Sequence, residues 1–288
     1  MDDPRVHPLL TEQARRNQDT RDHWGRFAPH RQRVTELLID AIPPDVAAPH
    51  LAVLGAGNCN DLELADLQQR FATIDLVDGD CRSVLQGIER QGLASNPSVR
   101  TVGPIDLSGI AQATTGWMPN PPVSNAAIEV AIAATIDLYA LPVQQVDVIA
   151  SVCLLSQILD RLAVAIGQEH PRYLDLVQHV RHRHIRLLIE HLRPGGTGLF
   201  ITDVVSSDTA PQIVAAKDLA IPNLLRECLD QGNFFTGLNP AVINSLLTND
   251  PLIGPQIAEV RMIPPWRWDL GPRVYAVYAA RFRRCSFG

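Results

Sequence analysis

The chain has 288 residues, 46% of them hydrophobic, which fits one large globular domain or one domain with an elaborated lid. Its formal net charge of −6 is the wrong sign for gripping a phosphate backbone, so nucleic acid is not the expected partner. Lys217 is the only lysine, which argues against lysine-based covalent catalysis, and no apolar run reaches the roughly 18 residues of a membrane span.

Residues 1–7 are polar and carry no signal-like apolar segment, so a cytoplasmic location is expected. The segment 1–47 reads as a helical lead-in or lid, with Trp24, Phe27, His30 and Arg31 on it and a helix from Pro29 to Ala41. Pro43 and Pro44 end that helix. From 48 onward, strands and helices alternate. A strand over 51–54 precedes a helix over 61–70, and a strand over 73–77 precedes a helix over 81–91. A short third strand covers 99–102. Then comes an insertion near 111–145, holding an alanine-rich helix from Ala126 to Leu141. A strand over 146–152, a long helix from Arg172 to Leu192 stopped at Pro194-Gly195-Gly196, and a strand over 198–204 follow. A second insertion near 205–255 carries helices over 222–229 and 240–247, and strands over 257–263 and 273–282 close the chain.

Strands separated by helices predict a doubly wound α/β fold, with a mostly parallel seven-stranded sheet and helices on both faces. The last two strands have no helix between them, which predicts a C-terminal antiparallel hairpin.

The chemistry begins at Leu51-Ala-Val-Leu-Gly-Ala-Gly-Asn-Cys-Asn60, a buried strand running into a glycine turn. Glycines there let a ligand approach the backbone. One βα unit later, Ile74-Asp-Leu-Val-Asp-Gly-Asp80 places a carboxylate at the next strand tip, suited to ribose hydroxyls. A dinucleotide fold wants a third glycine and a helix start free of negative charge, whereas this chain has Asn60 and Asp61. That favours an amino-acid-bearing nucleoside over a pyrophosphate.

Together with Ile105-Asp-Leu-Ser108, Val146-Asp-Val-Ile-Ala-Ser-Val152, Leu192-Arg-Pro-Gly-Gly-Thr-Gly-Leu-Phe-Ile-Thr-Asp203 and the final hairpin, this order resembles the class I S-adenosylmethionine-dependent methyltransferases. The pattern departs from that family at Val53, where an acid is common, and at Cys59, where a third glycine is common. The resemblance implies S-adenosylmethionine as cofactor. It puts Gly55, Ala56, Gly57 and Asn58 against the methionine part and Asp78 with Gly79 at the ribose. Asp106 and Leu107 fall at the adenine, and Ser151, Val152 and Cys153 beneath the sulfonium. Asp80 competes with Asp78 for the ribose, or else caps the following helix.

The expected activity is methyl transfer by in-line displacement to a small molecule or a protein side chain, with Trp24, His30, Arg31, Gln157, Phe234 and Trp266 as candidate acceptor contacts. No catalytic base is evident. Two alternatives stand beside this: a nicotinamide-dependent oxidoreductase on a Rossmann domain, and a non-catalytic module that binds S-adenosylmethionine. His179, His182, His184 and His191 share a stretch with Arg181, Arg183 and Arg186 and have no carboxylate to complete a ligand set, so no metal is expected. The five cysteines form no Cys-x-x-Cys pair and suggest neither zinc nor a disulfide framework.

Overall fold

A computed structural model describes residues 8–136 and 141–286, the first six of these by backbone alone. Helices α1 (Pro8–Thr20) and α2 (Ala28–Asp40) lead into β1 (His50–Leu54), α3 (Leu64–Leu67), β2 (Thr73–Val77), α4 (Cys81–Arg90) and β3 (Val99–Val102). Helix α5 (Asn125–Ile136), β4 (Val146–Val152), α6 (Leu154–Ile166), α7 (Tyr173–Glu190) and β5 (Leu192–Ser206) follow. Helices α8 (Ile221–Asp230) and α9 (Pro240–Asn249) precede the hairpin of β6 (Ile257–Asp269) and β7 (Val274–Arg284).

The seven strands form one sheet in the order β3-β2-β1-β4-β5-β7-β6, with β7 antiparallel to both of its neighbours. The remaining pairs are parallel. Alternate residues feed opposite cores, as a period of two requires. Leu51, Val53, Ile74, Leu76, Val148, Leu199 and Ile201 pack on the face covered by α2 and α4. Ala52, Leu54, Val146 and Phe200 pack with α5, α6 and α7 on the other. All seven residues of β4 are buried, the pattern of a central parallel strand.

Register is what positions the site. Leu54 lies opposite Val77 and Ser151, Val77 opposite Val102, and Val152 opposite Ile201. The first four strands therefore end at one level. Gly55, Asp78 and Gly103 leave the sheet side by side at the level of Val152, Cys153 follows one residue on, and Asp203 stands two residues beyond Ile201. The chain winds away in opposite directions from β1 and β4, and ligands of open α/β sheets bind at such a crevice.

Several boundaries differ from the sequence expectation. The helix expected over 61–70 is the single turn α3, because side chains of neighbouring segments take up the backbone here instead. Gln91 Oε1 accepts from the Leu64 amide and its Nε2 donates to the Leu62 carbonyl. Helix α6 begins directly after β4, where the sequence showed no periodic signal. Pro194-Gly195-Gly196 lies inside β5 rather than before it, with a register shift between Val146 and Val148 absorbing the irregularity. Strand β6 continues through Pro264 and Pro265 to Asp269, which an edge strand tolerates at a register shift between Ile263 and Trp266. Of the helix expected over 126–141, residues 137–140 lie outside the described residues, as do residues 1–7 of the lead-in.

Candidate functional site

The glycine turn after β1 is built as the sequence required. Gly55 and Gly57 have φ of +79° and +50°, a conformation that L side chains rarely adopt. A Cβ on Gly55 would lie 2.8 Å from Leu154 Cβ, and one on Gly57 would lie 2.9 Å from Asn17 Oδ1. Asp78 is fully buried beside this turn. Its Oδ2 accepts from the Gly57 amide at 2.8 Å and its Oδ1 from the Asp80 amide at 2.8 Å. Burial pushes the Asp78 carboxyl up to about 6, although the Asp80 and Gly57 amides pull the other way. Asp80 is the helix cap: its Oδ1 accepts from Ser83 at the start of α4.

The turn carrying Asp106 is tied to the same spot, since the Ile105 amide donates to the Asp78 carbonyl at 3.2 Å. Asp106 shapes its own turn: Oδ1 accepts from the Ser108 amide and hydroxyl, and Oδ2 from the Ala111 amide. The Leu107 carbonyl accepts from Arg183, a buried arginine of α7. At the end of β4, the Ser151 hydroxyl pairs with His184 Nε2 at 2.7 Å inside the core. Burial, helped by the charge of Arg183, lowers His184 to about 3, so it is neutral. Cys153 takes φ of +48° and heads α6, and its carbonyl accepts from Gln157 and Ser156.

The lead-in folds over this edge. Asn17 of α1 sits against Gly57 and donates to Asp80 Oδ2 at 3.1 Å. Asn58 Nδ2 donates to the Asn17 carbonyl and the Thr20 hydroxyl, both at 3.0 Å, and Asn60 Nδ2 donates to the Thr20 carbonyl at 2.8 Å. Arg16 reaches Asp160 of α6 at 2.5 Å. Asn17 and Thr20 carry no signal in the sequence, because polar residues in a polar segment do not stand out.

The expected acceptor contacts divide. Arg31 is buried and structural: it donates to Glu63, to the Trp24 carbonyl and to the Asn60 carbonyl. Its guanidinium lies 3.5 Å from the centroid of the Trp24 ring, and that of Arg90 lies 5.1 Å away. Trp266 Nε1 donates to His30 Nδ1 at 3.0 Å, and His30 Nε2 is 3.3 Å from Asp61. Phe234 packs at the margin of the larger core. Gln157 is half-buried beside Cys153.

Asp203 was not among the expected site residues. It is 6% exposed at the end of β5, with Oδ1 accepting from the Ser156 hydroxyl at 2.5 Å. Burial raises it to about 6, and the Ser156 hydrogen bond and the charges of His30 and Arg16 oppose that only in part. An acid inside Leu199-Phe-Ile-Thr-Asp-Val-Val205 was the available signal, because a buried charge in an apolar run needs a reason.

The helix-face histidines are each engaged separately: His182 with Asp250, His179 with the Asp175 carbonyl, and His191 between Leu187 and Leu141. No three potential metal ligands converge among the described residues, nor is any helix among them long and apolar enough to cross a membrane. A cavity of about 50 Å³ between Pro43, Thr197, Glu259 and Arg281 lies at the other end of the sheet and is too small for a nucleoside.

No family model and no curated protein matches the sequence. Solved structures do align with it. One is the N-methyltransferase NodS from Bradyrhizobium japonicum WM9 in complex with S-adenosyl-L-homocysteine, at 14% identity over 88% of this chain and 86% of that one, with a TM-score of 0.46. Human N-acetylserotonin methyltransferase in complex with SAM aligns at 12% identity over 96% and 57%, with a TM-score of 0.44. The mitomycin 7-O-methyltransferase MmcR aligns at 15% over 86% and 52%, with a TM-score of 0.42. The strand order, with one antiparallel strand inserted beside the edge, decides the fold. It is the class I methyltransferase fold.

Proposed function

We propose that the chain is an S-adenosylmethionine-dependent methyltransferase acting on a small molecule or a protein side chain. The observation that carries this is the pairing of a left-handed glycine turn with a buried carboxylate: the Gly57 amide and Asp78 Oδ2 join the ends of β1 and β2. The residues fit the cofactor. Gly55 and Gly57, with Ala56 and Asn58 between and beside them, would lie along the methionine part, and Asp78 would offer acceptors for the ribose hydroxyls, with Gly79 beside it. The Asp106–Leu107 turn, fastened to Asp78, would border the adenine. Val152 and Cys153 would floor the reacting end, with Ser151 anchored beneath them by His184.

When bound, this cofactor supplies an electrophilic methyl group on a sulfonium. The protein then has to align an acceptor and exclude water. Helix α1 is placed to exclude water. Its Asn17 and Thr20 close directly on the glycine turn, so α1 covers the place where the methionine part would bind.

Calorimetry with S-adenosylhomocysteine and S-adenosylmethionine tests the reading. Binding of both is expected. Binding of neither, or a thermal shift with NADH in their place, would overturn it.

A further inference from the structure

We infer that the acceptor is an amine: it docks as its ammonium ion on the Asp203 carboxylate beside the Tyr275–Trp268 ring cluster, passes one N–H proton to that carboxylate, and attacks the sulfonium methyl through the freed nitrogen lone pair, with S-adenosylhomocysteine as the leaving group. This rests on the methyl-transfer reading above. Strand register delivers Asp203 to the edge where β4 ends, and burial followed by the Asp203 carboxylate pushes the neighbouring Cys153 thiol well up. Asp203, Tyr275 and Val277 belong to one face of the sheet: Asp203 lies opposite Val277, and Tyr275 opposite Ser206 and Trp268. The Tyr275 ring is 5.3 Å from that of Trp268 and 6.3 Å from that of Phe235. Trp268 also stacks on His30 at 4.6 Å.

The charge here is compensated only in part. No cation forms an ion pair with Asp203 among the described residues. The basic groups that act on it from a distance are engaged elsewhere: Arg16 with Asp160 at 2.5 Å and His30 beside Asp61. A carboxylate kept out of water without a paired counter-charge is a standing cost to the fold, and a bound cation removes it. A neutral hydroxyl would not. Aromatic faces beside the carboxylate add attraction for the same ion.

The sulfonium of the methyl donor is also a cation, and the test separates the two. Protein loaded with S-adenosylhomocysteine, and protein without it, is titrated with propylammonium and benzylammonium chloride. The controls are the isosteric 1-propanol and benzyl alcohol, at matched ionic strength, with indole fluorescence as the readout. The ammonium ions are expected to bind and the alcohols not. Asp203→Asn should lose at least about tenfold in ammonium affinity, and Tyr275→Leu should lose part of it, while affinity for S-adenosylhomocysteine stays within about twofold. Equal response to ammonium and alcohol in the unsubstituted protein overturns the inference without recourse to any variant. So does Asp203→Asn weakening S-adenosylmethionine but not ammonium, which would assign the charge to the donor. Failure of the unsubstituted protein to bind S-adenosylhomocysteine sinks the methyl-transfer reading, whereas binding it without preferring ammonium sinks this inference alone.

Discussion

The two ends of one sheet treat buried carboxylates in opposite ways. Asp75 and Asp78 lie three residues apart around β2, and both are fully buried. Asp75 is met by His50 at 2.7 Å and by both arms of Arg100 at 2.6 and 2.8 Å. Burial alone would raise its carboxyl, but these partners outweigh burial and hold it below its ordinary 3.8. Nearby, Asp147 takes the His50 amide and the Arg193 guanidinium. At the other end, Asp78 accepts from backbone amides and Asp203 from a hydroxyl, and both are raised to about 6. Where the fold needs a charged acid, as at Asp75, it supplies cations. At Asp203 it supplies no ion pair among the described residues, and a ligand is expected in that place.

The largest effect should follow from breaking the paired end. Asp75→Asn is expected to cost about 2–3 kcal/mol in urea unfolding at pH 7, less than a wholly buried pair would, because Arg100 is half in solvent. A folded pKa below 3.8 makes this stabilisation fully present above that value and lost as pH falls through the folded pKa. The gap between variant and parent should therefore narrow only in that acid window. A gap that stays constant down to unfolding would show that the ion pair is not its source.

Asp203→Asn should move stability the other way. Its folded pKa of about 6 exceeds the ordinary 3.8, so its contribution is fully present below 3.8 and lost as pH rises through 6. At pH 8 the neutral amide should match or exceed the parent by up to about 2 kcal/mol in thermal or urea unfolding, and the difference should vanish near pH 4. A variant less stable than the parent at pH 8 would mark Asp203 as a structural residue.

Asp78→Asn tests the cofactor half of the contrast. One backbone amide loses its acceptor, and the ribose hydroxyls lose a charged one, so affinity for S-adenosylhomocysteine should fall at least about tenfold by calorimetry. Unchanged affinity would move the ribose contact elsewhere. The smallest effect is expected from Gly57→Ala, which strains a φ of +50° and presses on Asn17. It should cost about 1 kcal/mol and speed proteolysis within α1 relative to the rest of the chain. Equal cleavage everywhere would deny α1 the role of lid.

Much of this was legible because local chemistry repeats along the chain. Apolar strands, glycines before helices and the lone hairpin required no knowledge of packing to place β1, β2 and β4, or to put Gly55, Gly57 and Asp78 together. Helix α6 was not legible, since it starts at a left-handed Cys153 with no side-chain cap, and β6 was not, since its prolines read as a connection. The partners of Arg31 and Trp266 were not legible, because a residue's letter does not say what it packs against: Arg31 is held by Glu63 and two backbone carbonyls, and the Trp266 indole N–H by His30.

Residue order alone dictates the succession of chemistry along the strands: a backbone turn without side chains, then an acid at the next strand tip. Which acids are held by cations is a matter of packing in three dimensions. Asp75, Asp78 and Asp203 are identical as residues, and each sits in or beside an apolar strand. Their difference arises from what stands across the sheet edge, because a carboxylate's charge state follows the groups within a few ångströms rather than its neighbours in the chain.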